Sequence, residues 1–287
     1  MTPITLDFSN MVMEHLGVRG VDSERLGGDL ADRFRAAHES VEAIRRSGEM
    51  GFFELPYDSD ALAQAQELAD QIEGRFENLV IIGMGGSALG ARTLRDALLG
   101  SLWNERSNEE RAGRPRMYIL DNVDPGAVLD VVEYLDLRRT LFNVVSKSGS
   151  TAETMALYLV LEGLLIEELG KEKVGEHFVF TTDPENGALR SIAEAEGINS
   201  LPIPGNVGGR FSVLSPVGLF PAALAGVDAA ALLGGAARAD EYCRTPVLGE
   251  NAAGLMATLL HVAHSELGAS IHVLMPYSER LRSFSFW

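Results

Sequence analysis

Residues 143–154, with the sequence NVVSKSGSTAET, contain the change of pattern that decides the fold. An apolar strand ends at Val145, and a helical pattern of apolar residues begins near Thr151 and continues to Leu164. A strand joined to a helix by a short turn is the unit from which α/β sheets are built. The stretch therefore predicts one strand–turn–helix unit of such a sheet, with the turn at the carboxyl end of the strand.

The turn in this stretch is rich in hydrogen-bond donors. It contains the hydroxyls of Ser146, Ser148, Ser150 and Thr151 and the amine of Lys147. A helix N-terminus presents unpaired N–H groups and partial positive charge, so this composition predicts a phosphate-binding site. The alternative is a helix cap without a ligand. A cap needs one hydroxyl, or one hydroxyl and a Glu three residues later, so the surplus of donors favours the phosphate site.

The strand–turn–helix pattern recurs along the middle of the chain. Short apolar runs predict strands at residues 79–82, 117–120, 142–145, 178–180 and near 201–203, and helical patterns separate them. This alternation predicts an α/β fold with a doubly wound parallel sheet and right-handed crossovers. Ligands in such sheets bind beyond the carboxyl ends of the strands, where both the 83–86 turn and the 146–151 turn fall.

The remaining segments give the domain organisation that we predict. Residues 1–55 form a helical lead-in, and residues 56–204 form the first sheet domain. The lead-in contains an amphipathic helix whose buried stripe is expected to include Leu30, Phe34, Ala37, Val41 and Ile44. Residues 205–287 begin with a glycine-rich linker and continue with helices and a strand at 271–275, so we interpret them as an incomplete second α/β domain. The final residues include a cluster of aromatic side chains, and such clusters usually contact a partner when they are exposed. We therefore expect a truncated chain.

The composition excludes several classes of protein. A formal net charge of −17 argues against a nucleic-acid partner, because phosphate backbones are bound by clustered Lys and Arg. No apolar run has the length of a membrane span. Cys243 is the single cysteine, so we expect no disulfide framework and a cytoplasmic location. His261, His264 and Glu266 are close in sequence, but a third ligand at zinc-like spacing is missing, so we predict no metal and no cofactor.

A second glycine-rich turn follows the first predicted strand. Residues 83–90 read GMGGSALG and contain Gly83-x-Gly85-x-x-Ala88, a degenerate form of the dinucleotide-binding fingerprint. The acidic residue that a dinucleotide site needs about 20 residues later is missing. Ser87 adds another hydroxyl at the start of a helix. A sugar phosphate, a purely structural turn and a dinucleotide all remain open, and we favour the sugar phosphate.

Three segments carry a family resemblance. Residues 85–90, 146–154 and 207–215 resemble the sugar isomerase (SIS) family and, within it, the glucose-6-phosphate isomerases. The third segment, VGGRFSVLS, is the most specific, because other sugar isomerase domains do not carry it after the first sheet. The resemblance implies a flavodoxin-like SIS sheet and a sugar 6-phosphate substrate. It implies that the phosphate is held by Ser146, Ser148 and Thr151 with Lys147 nearby, and that the sugar is lined by Gly86 and Ser87.

The resemblance also implies two catalytic residues. Glu153 corresponds to a family glutamate near the reacting end of the sugar that helps to arrange proton transfers. The alternative role for Glu153 is a first-turn carboxylate that the helix dipole favours. Arg210 corresponds to a family arginine that stabilises negative charge on the enediolate, for which a delocalised guanidinium is better suited than a lysine. The alternative role for Arg210 is a surface salt bridge.

The implied reaction is the interconversion of glucose 6-phosphate and fructose 6-phosphate, in glycolysis and gluconeogenesis, by a homodimer without a cofactor. In this family the catalytic base is a glutamate of the second sheet's segment, and a histidine and a lysine lie further toward the C-terminus. We find no counterpart of these groups in the 287 residues, so we expect this chain alone to be inactive or nearly so. A non-catalytic sugar-phosphate-binding module is the alternative, and the 208–210 segment argues against it.

Overall fold

The structure is a computed structural model that describes residues 4–287, and the chain divides into two compact units. The first, which we call the helical unit, contains residues 4–53 and 234–274. The second, which we call the sheet unit, contains residues 54–233 and 275–287.

Five parallel strands form the centre of the sheet unit. They are β1 (Asn78–Ile82), β2 (Arg116–Leu120), β3 (Thr140–Ser146), β4 (Phe178–Thr182) and β5 (Asn199–Pro202). They lie in the order β2-β1-β3-β4-β5, and every neighbouring pair is parallel. The predicted doubly wound α/β sheet is confirmed, and its strand order is that of flavodoxin-like folds.

Helices connect the strands and make up the helical unit. The α-helices are α1 (Met13–Leu16), α2 (Asp29–Ser47), α3 (Ser59–Ile72), α4 (Gly86–Leu94), α5 (Pro125–Tyr134), α6 (Ala152–Leu169), α7 (Lys171–Val174), α8 (Ala188–Glu196), α9 (Pro216–Leu224), α10 (Ala229–Cys243) and α11 (Ala252–Ser265). A π-helical turn at Arg95–Leu99 continues α4, and 3₁₀ helices include Gly209–Leu214 and Glu279–Ser285. The boundary between the two units falls inside α10.

The sheet is buried on both faces. Alternate residues of β1 point to opposite sides, so Leu79 and Ile81 pack in one apolar layer while Val80 and Ile82 pack in the other. The first layer includes residues of α3 and α9, and the second includes residues of α6 and α8. This double cover explains why the strands read as continuous apolar runs in the sequence, as is typical of parallel sheets.

The register of the strands places the end of β3 beyond that of β1. Ile82, the last residue of β1, is paired with Val144, so Val145 and Ser146 extend past it. On its other side Ser146 is paired with Thr182, the last residue of β4. The 146–151 turn therefore begins where the carboxyl ends of three neighbouring strands meet.

The helical unit is built on α2 and α11. Leu30 and Phe34 of α2 pack in one cluster with Leu255 and Leu259 of α11. A Cβ atom on Gly254 would lie 2.2 Å from the ring of Phe34, so only glycine permits this close helix contact. The predicted amphipathic helix is present.

Two details of the sequence prediction are wrong. Ala37 and Val41 were expected in the buried stripe of α2, but Ala37 is exposed and Val41 is 44% exposed. Residues 271–275 were expected to form a strand, but they pair with no strand within residues 4–287. A strand needs a neighbouring strand for its backbone hydrogen bonds, and within the described residues this segment has none. Its apolar side chains are also largely exposed. The division into domains 1–55, 56–204 and 205–287 stays a prediction.

Candidate active site

The 146–151 turn leads from β3 into α6. Ser146 is buried at the end of β3, and its carbonyl accepts a 2.7 Å hydrogen bond from the Thr182 hydroxyl on β4. The turn closes with a bond of 3.2 Å from the Gly149 N–H to the same carbonyl, and Gly149 has φ +63°. Glycine adopts this left-handed conformation without steric cost. The turn therefore has a defined shape, which is anchored on the sheet.

Three hydroxyls converge inside this turn. The Thr151 Oγ1 atom lies 3.1 Å from Ser146 Oγ and 3.4 Å from Ser148 Oγ. Thr151 is also the N-cap residue of α6, yet within residues 4–287 its side chain makes no capping hydrogen bond. The first N–H groups of an α-helix have no acceptor inside the helix. The N-terminus of α6 therefore combines converging hydroxyls with N–H groups that no side chain caps, which favours the phosphate site over the simple cap.

Lys147 points to a different part of the chain. Its ammonium donates to the carbonyl of Gly205 at 2.6 Å and to that of Val207 at 2.9 Å. The backbone of Lys147 thus belongs to the 146–151 turn, while its side chain holds the segment that precedes Arg210.

The turn after β1 contacts that same segment. A Cβ atom on Gly86 would lie 2.1 Å from the Gly209 carbonyl oxygen and 2.7 Å from the Arg210 nitrogen. Such distances leave no space for a side chain, so Gly86 permits the two backbones to touch. Ser87 follows in the first turn of α4 and is half-buried. The structure therefore brings the 83–87 turn, the 146–151 turn and the 204–210 segment together at one edge of the sheet.

Arg210 and Glu153 are both exposed at this edge. Arg210 lies in the 3₁₀ helix Gly209–Leu214 and forms no ion pair within residues 4–287, so the surface-salt-bridge role has no partner there. Glu153 lies in the first turn of α6. Both side chains are free to meet a ligand at the carboxyl ends of the strands.

Asp183 is a carboxylate of this edge that the sequence analysis did not assign. It follows β4, and its Oδ1 atom accepts the N–H groups of Glu185 at 2.9 Å and Asn186 at 2.8 Å. These bonds lower the pKa of Asp183, and the positive charge of Lys147 contributes to the same direction. Thr182 was also not assigned. The rule that ligands bind beyond strand ends was the signal that could have identified both.

The described residues contain neither a candidate metal site nor a candidate membrane span. Residues 4–287 contain no group of three or more His, Cys, Asp or Glu side chains that could hold a metal ion. In the same part of the chain, no helix has both the length and the apolar character that a membrane crossing requires.

Comparison with known proteins identifies similar chains. Residues 63–287 match the family model described as phosphoglucose isomerase. The chain is 39% identical to a glucose-6-phosphate isomerase of Carboxydothermus hydrogenoformans, an alignment that covers 99% of this chain and 61% of the relative. It is 44% identical to a glucose-6-phosphate isomerase of Thermus thermophilus over 83% of this chain and 53% of that protein.

Solved structures are also similar. A crystal structure of a hypothetical protein from Thermus thermophilus has a TM-score of 0.79 and 41% identity, covering 92% of this chain and 60% of that one. A glucose-6-phosphate isomerase from Chlamydia trachomatis has a TM-score of 0.67 and 28% identity, covering 78% of this chain and 41% of that one. The chain spans less than two thirds of the length of these relatives.

Proposed function

This chain belongs to the phosphoglucose isomerase family, and from that premise we propose that it serves the reversible isomerisation of glucose 6-phosphate and fructose 6-phosphate through an enediolate. The observation that carries the proposal is the convergence of the Ser146, Ser148 and Thr151 hydroxyls at the N-terminus of α6, which no side chain within residues 4–287 caps.

The turn suits the phosphate group of the sugar. Hydroxyl and backbone N–H donors each contribute about 1.5–3 kcal/mol when they bond to a charged group. The helix dipole adds a favourable field for a dianion at the same position. The net charge of −17 does not oppose this, because surface charges more than about 8 Å away are screened at physiological salt. Local donors therefore decide the preference for phosphate.

The contact between Gly86 and Gly209 supports the assignment of the sugar-binding part. It places the start of α4 beside the backbone of Arg210, which supports a site in which the ligand of the 146–151 turn also meets the guanidinium. In our proposal Arg210 stabilises the negative oxygen of the enediolate, and Glu153 helps to arrange the proton transfers. Gly86 and Ser87 line the sugar. None of the described residues is proposed as the base that removes the proton next to the carbonyl.

Calorimetric titration tests the phosphate site. The chain is expected to bind fructose 6-phosphate and to show no binding of fructose at the same concentrations. The double substitution Ser148→Ala and Thr151→Ala removes two donors and should lower the affinity by more than about tenfold. Ser265→Ala, which removes an exposed hydroxyl bonded to the His261 carbonyl, is the matched control and should bind as the unmodified chain does. Equal affinity of the double variant would refute the site.

We also propose, from the family resemblance, that the whole protein is a homodimer. The single cysteine, Cys243, supports a reducing compartment such as the cytoplasm. Light scattering on the whole protein tests the dimer, and a monomeric mass would contradict it.

A further inference from the structure

The side chain of Lys147 connects two segments of the candidate site. Its neighbours Ser146 and Ser148 contribute hydroxyls to the phosphate turn, but its own ammonium reaches residues that follow by 58 and 60 positions, where it bonds to the carbonyls of Gly205 and Val207. An ammonium has three N–H donors, and these two bonds use two of them. The amine is thus directed toward the 204–210 segment.

The 204–210 segment is fixed at both of its ends. Upstream, Lys147 binds Gly205 and Val207, and Val207 is buried. Downstream, the Ser212 hydroxyl donates to the Gly209 carbonyl at 2.7 Å, and Gly209 touches Gly86. Arg210 lies between these anchors and has no ion pair within residues 4–287. The anchored backbone therefore fixes the position from which the Arg210 side chain extends, without help from a carboxylate partner among the described residues.

We propose that Lys147 is a positioning residue, whose ammonium holds the 204–210 segment so that Arg210 faces the sugar whose phosphate the 146–151 turn binds. The inference rests on the proposed function and assigns Lys147 a different role in the same site. Because the Lys147 backbone belongs to the phosphate turn, a bound phosphate and the placement of Arg210 are coupled through one residue.

Amide hydrogen exchange tests the proposal without any ligand. Lys147→Met keeps the length of the side chain and removes its donors. The amides of Val207 and Phe211, which bond to the carbonyls of Pro204 and Gly208, should exchange at least about tenfold faster in this variant, because the Lys147 hydrogen bonds that hold the segment are lost. Amides of β1 should keep their protection, which shows that the sheet is folded. Lys147→Arg retains the positive charge and N–H donors for both carbonyls, so it should restore much of the protection. Lys173→Met removes an unrelated lysine and should leave the exchange rates unchanged. Unaltered exchange at Val207 and Phe211 would overturn the proposal.

Two ligands separate a positioning role from direct phosphate binding. Inorganic phosphate occupies only the turn, while 6-phosphogluconate adds a carboxylate at the far end of the sugar chain, where an arginine can bind it. Lys147→Met should leave phosphate affinity within about threefold and lower 6-phosphogluconate affinity about tenfold, as Arg210→Ala does. The combined variant Lys147→Met/Arg210→Ala should bind 6-phosphogluconate no more weakly than Arg210→Ala alone, because Lys147 acts through Arg210.

Each outcome of the binding experiment is decisive. Equal losses for both ligands would show that Lys147 binds phosphate itself. Additive losses in Lys147→Met/Arg210→Ala would show that Lys147 acts independently of Arg210. Either result would overturn the positioning role. Absence of binding in the unmodified chain would count against the proposed function, and the exchange experiment would still decide the role of Lys147.

Discussion

The junctions after β2 and β3 show two ways of ending a strand and starting a helix. After β2, the carboxylate of Asp124 caps α5 by accepting the Gly126 N–H at 2.8 Å, and Pro125 has no N–H to satisfy. After β3, the N-cap residue Thr151 makes no capping bond within residues 4–287, and its hydroxyl faces Ser146 and Ser148 instead.

One backbone geometry serves two purposes at these junctions. Both helices start at the carboxyl edge of the sheet with the same backbone requirement for acceptors. A carboxylate at the first junction occupies the place of an anion and stabilises the chain. Hydroxyls at the second leave that place to a ligand, so binding replaces the cap.

The largest effect is expected when the second junction is given the cap of the first. Thr151→Asp places a carboxylate at the N-terminus of α6, which should raise stability by up to about 1 kcal/mol through capping. The same carboxylate repels phosphate by several kcal/mol at short range, so fructose 6-phosphate affinity should fall by more than about a hundredfold. Urea unfolding and calorimetry measure the two effects.

Asp124→Ala is the converse variant. It should lose about 1 kcal/mol of stability and keep its affinity for the sugar phosphate. If Thr151→Asp kept its affinity, or if Asp124→Ala lost it, the distinction between the two junctions would fail.

A smaller effect is expected at the turn after β1. Gly86→Ala introduces a Cβ atom 2.1 Å from the Gly209 carbonyl, and relief of such a clash typically costs about 1–3 kcal/mol. Gly163→Ala in α6 is the matched control, since its Cβ would meet no atom within 4 Å, and it should gain about 0.5–1 kcal/mol from helix propensity. Urea unfolding of both variants measures the difference. Equal stability of the two would show that the contact between these backbones is absent.

The smallest effect concerns the junction after β4, where the Asp183 carboxylate accepts two backbone N–H groups of the loop that leads to α8. Its pKa is lowered from the ordinary value of 3.8, chiefly by the N–H groups of Glu185 and Asn186. A lowered folded pKa means that the carboxylate stabilises the fold above pH 3.8 and that this contribution is lost as pH falls through the folded value. Asp183→Asn should therefore show a shallower loss of stability below about pH 4 than the unmodified chain. Identical acid profiles in thermal unfolding would contradict this.

The sequence pattern was sufficient to predict where the strands lie, but not which segments find a strand to pair with. Runs such as 79–82 and 142–145 are apolar because helices cover both faces of the sheet, so a local pattern predicts them well. The run at 271–275 has the same apolar character, but a strand also needs a neighbour, which no local pattern specifies. The exposure of Val41 has the same origin, because periodicity does not show how far a neighbouring element extends.

The candidate site was predictable to a similar degree. Hydroxyl density identified the 146–151 turn, and the strand-end rule placed it beside the 83–86 turn. The direction of the Lys147 side chain and the contact of Gly86 with Gly209 depend on residues far apart in sequence, so no spacing rule could reveal them.

Amide chemical shifts during a titration with fructose 6-phosphate test the central claim most directly. If phosphate binds where the cap is missing, the N–H signals of Ala152 and Glu153 should move strongly downfield, while that of Gly126, already bonded to Asp124, should stay unchanged. Movement of the Gly126 signal, or unchanged signals at Ala152 and Glu153 while the sugar phosphate binds, would contradict the account.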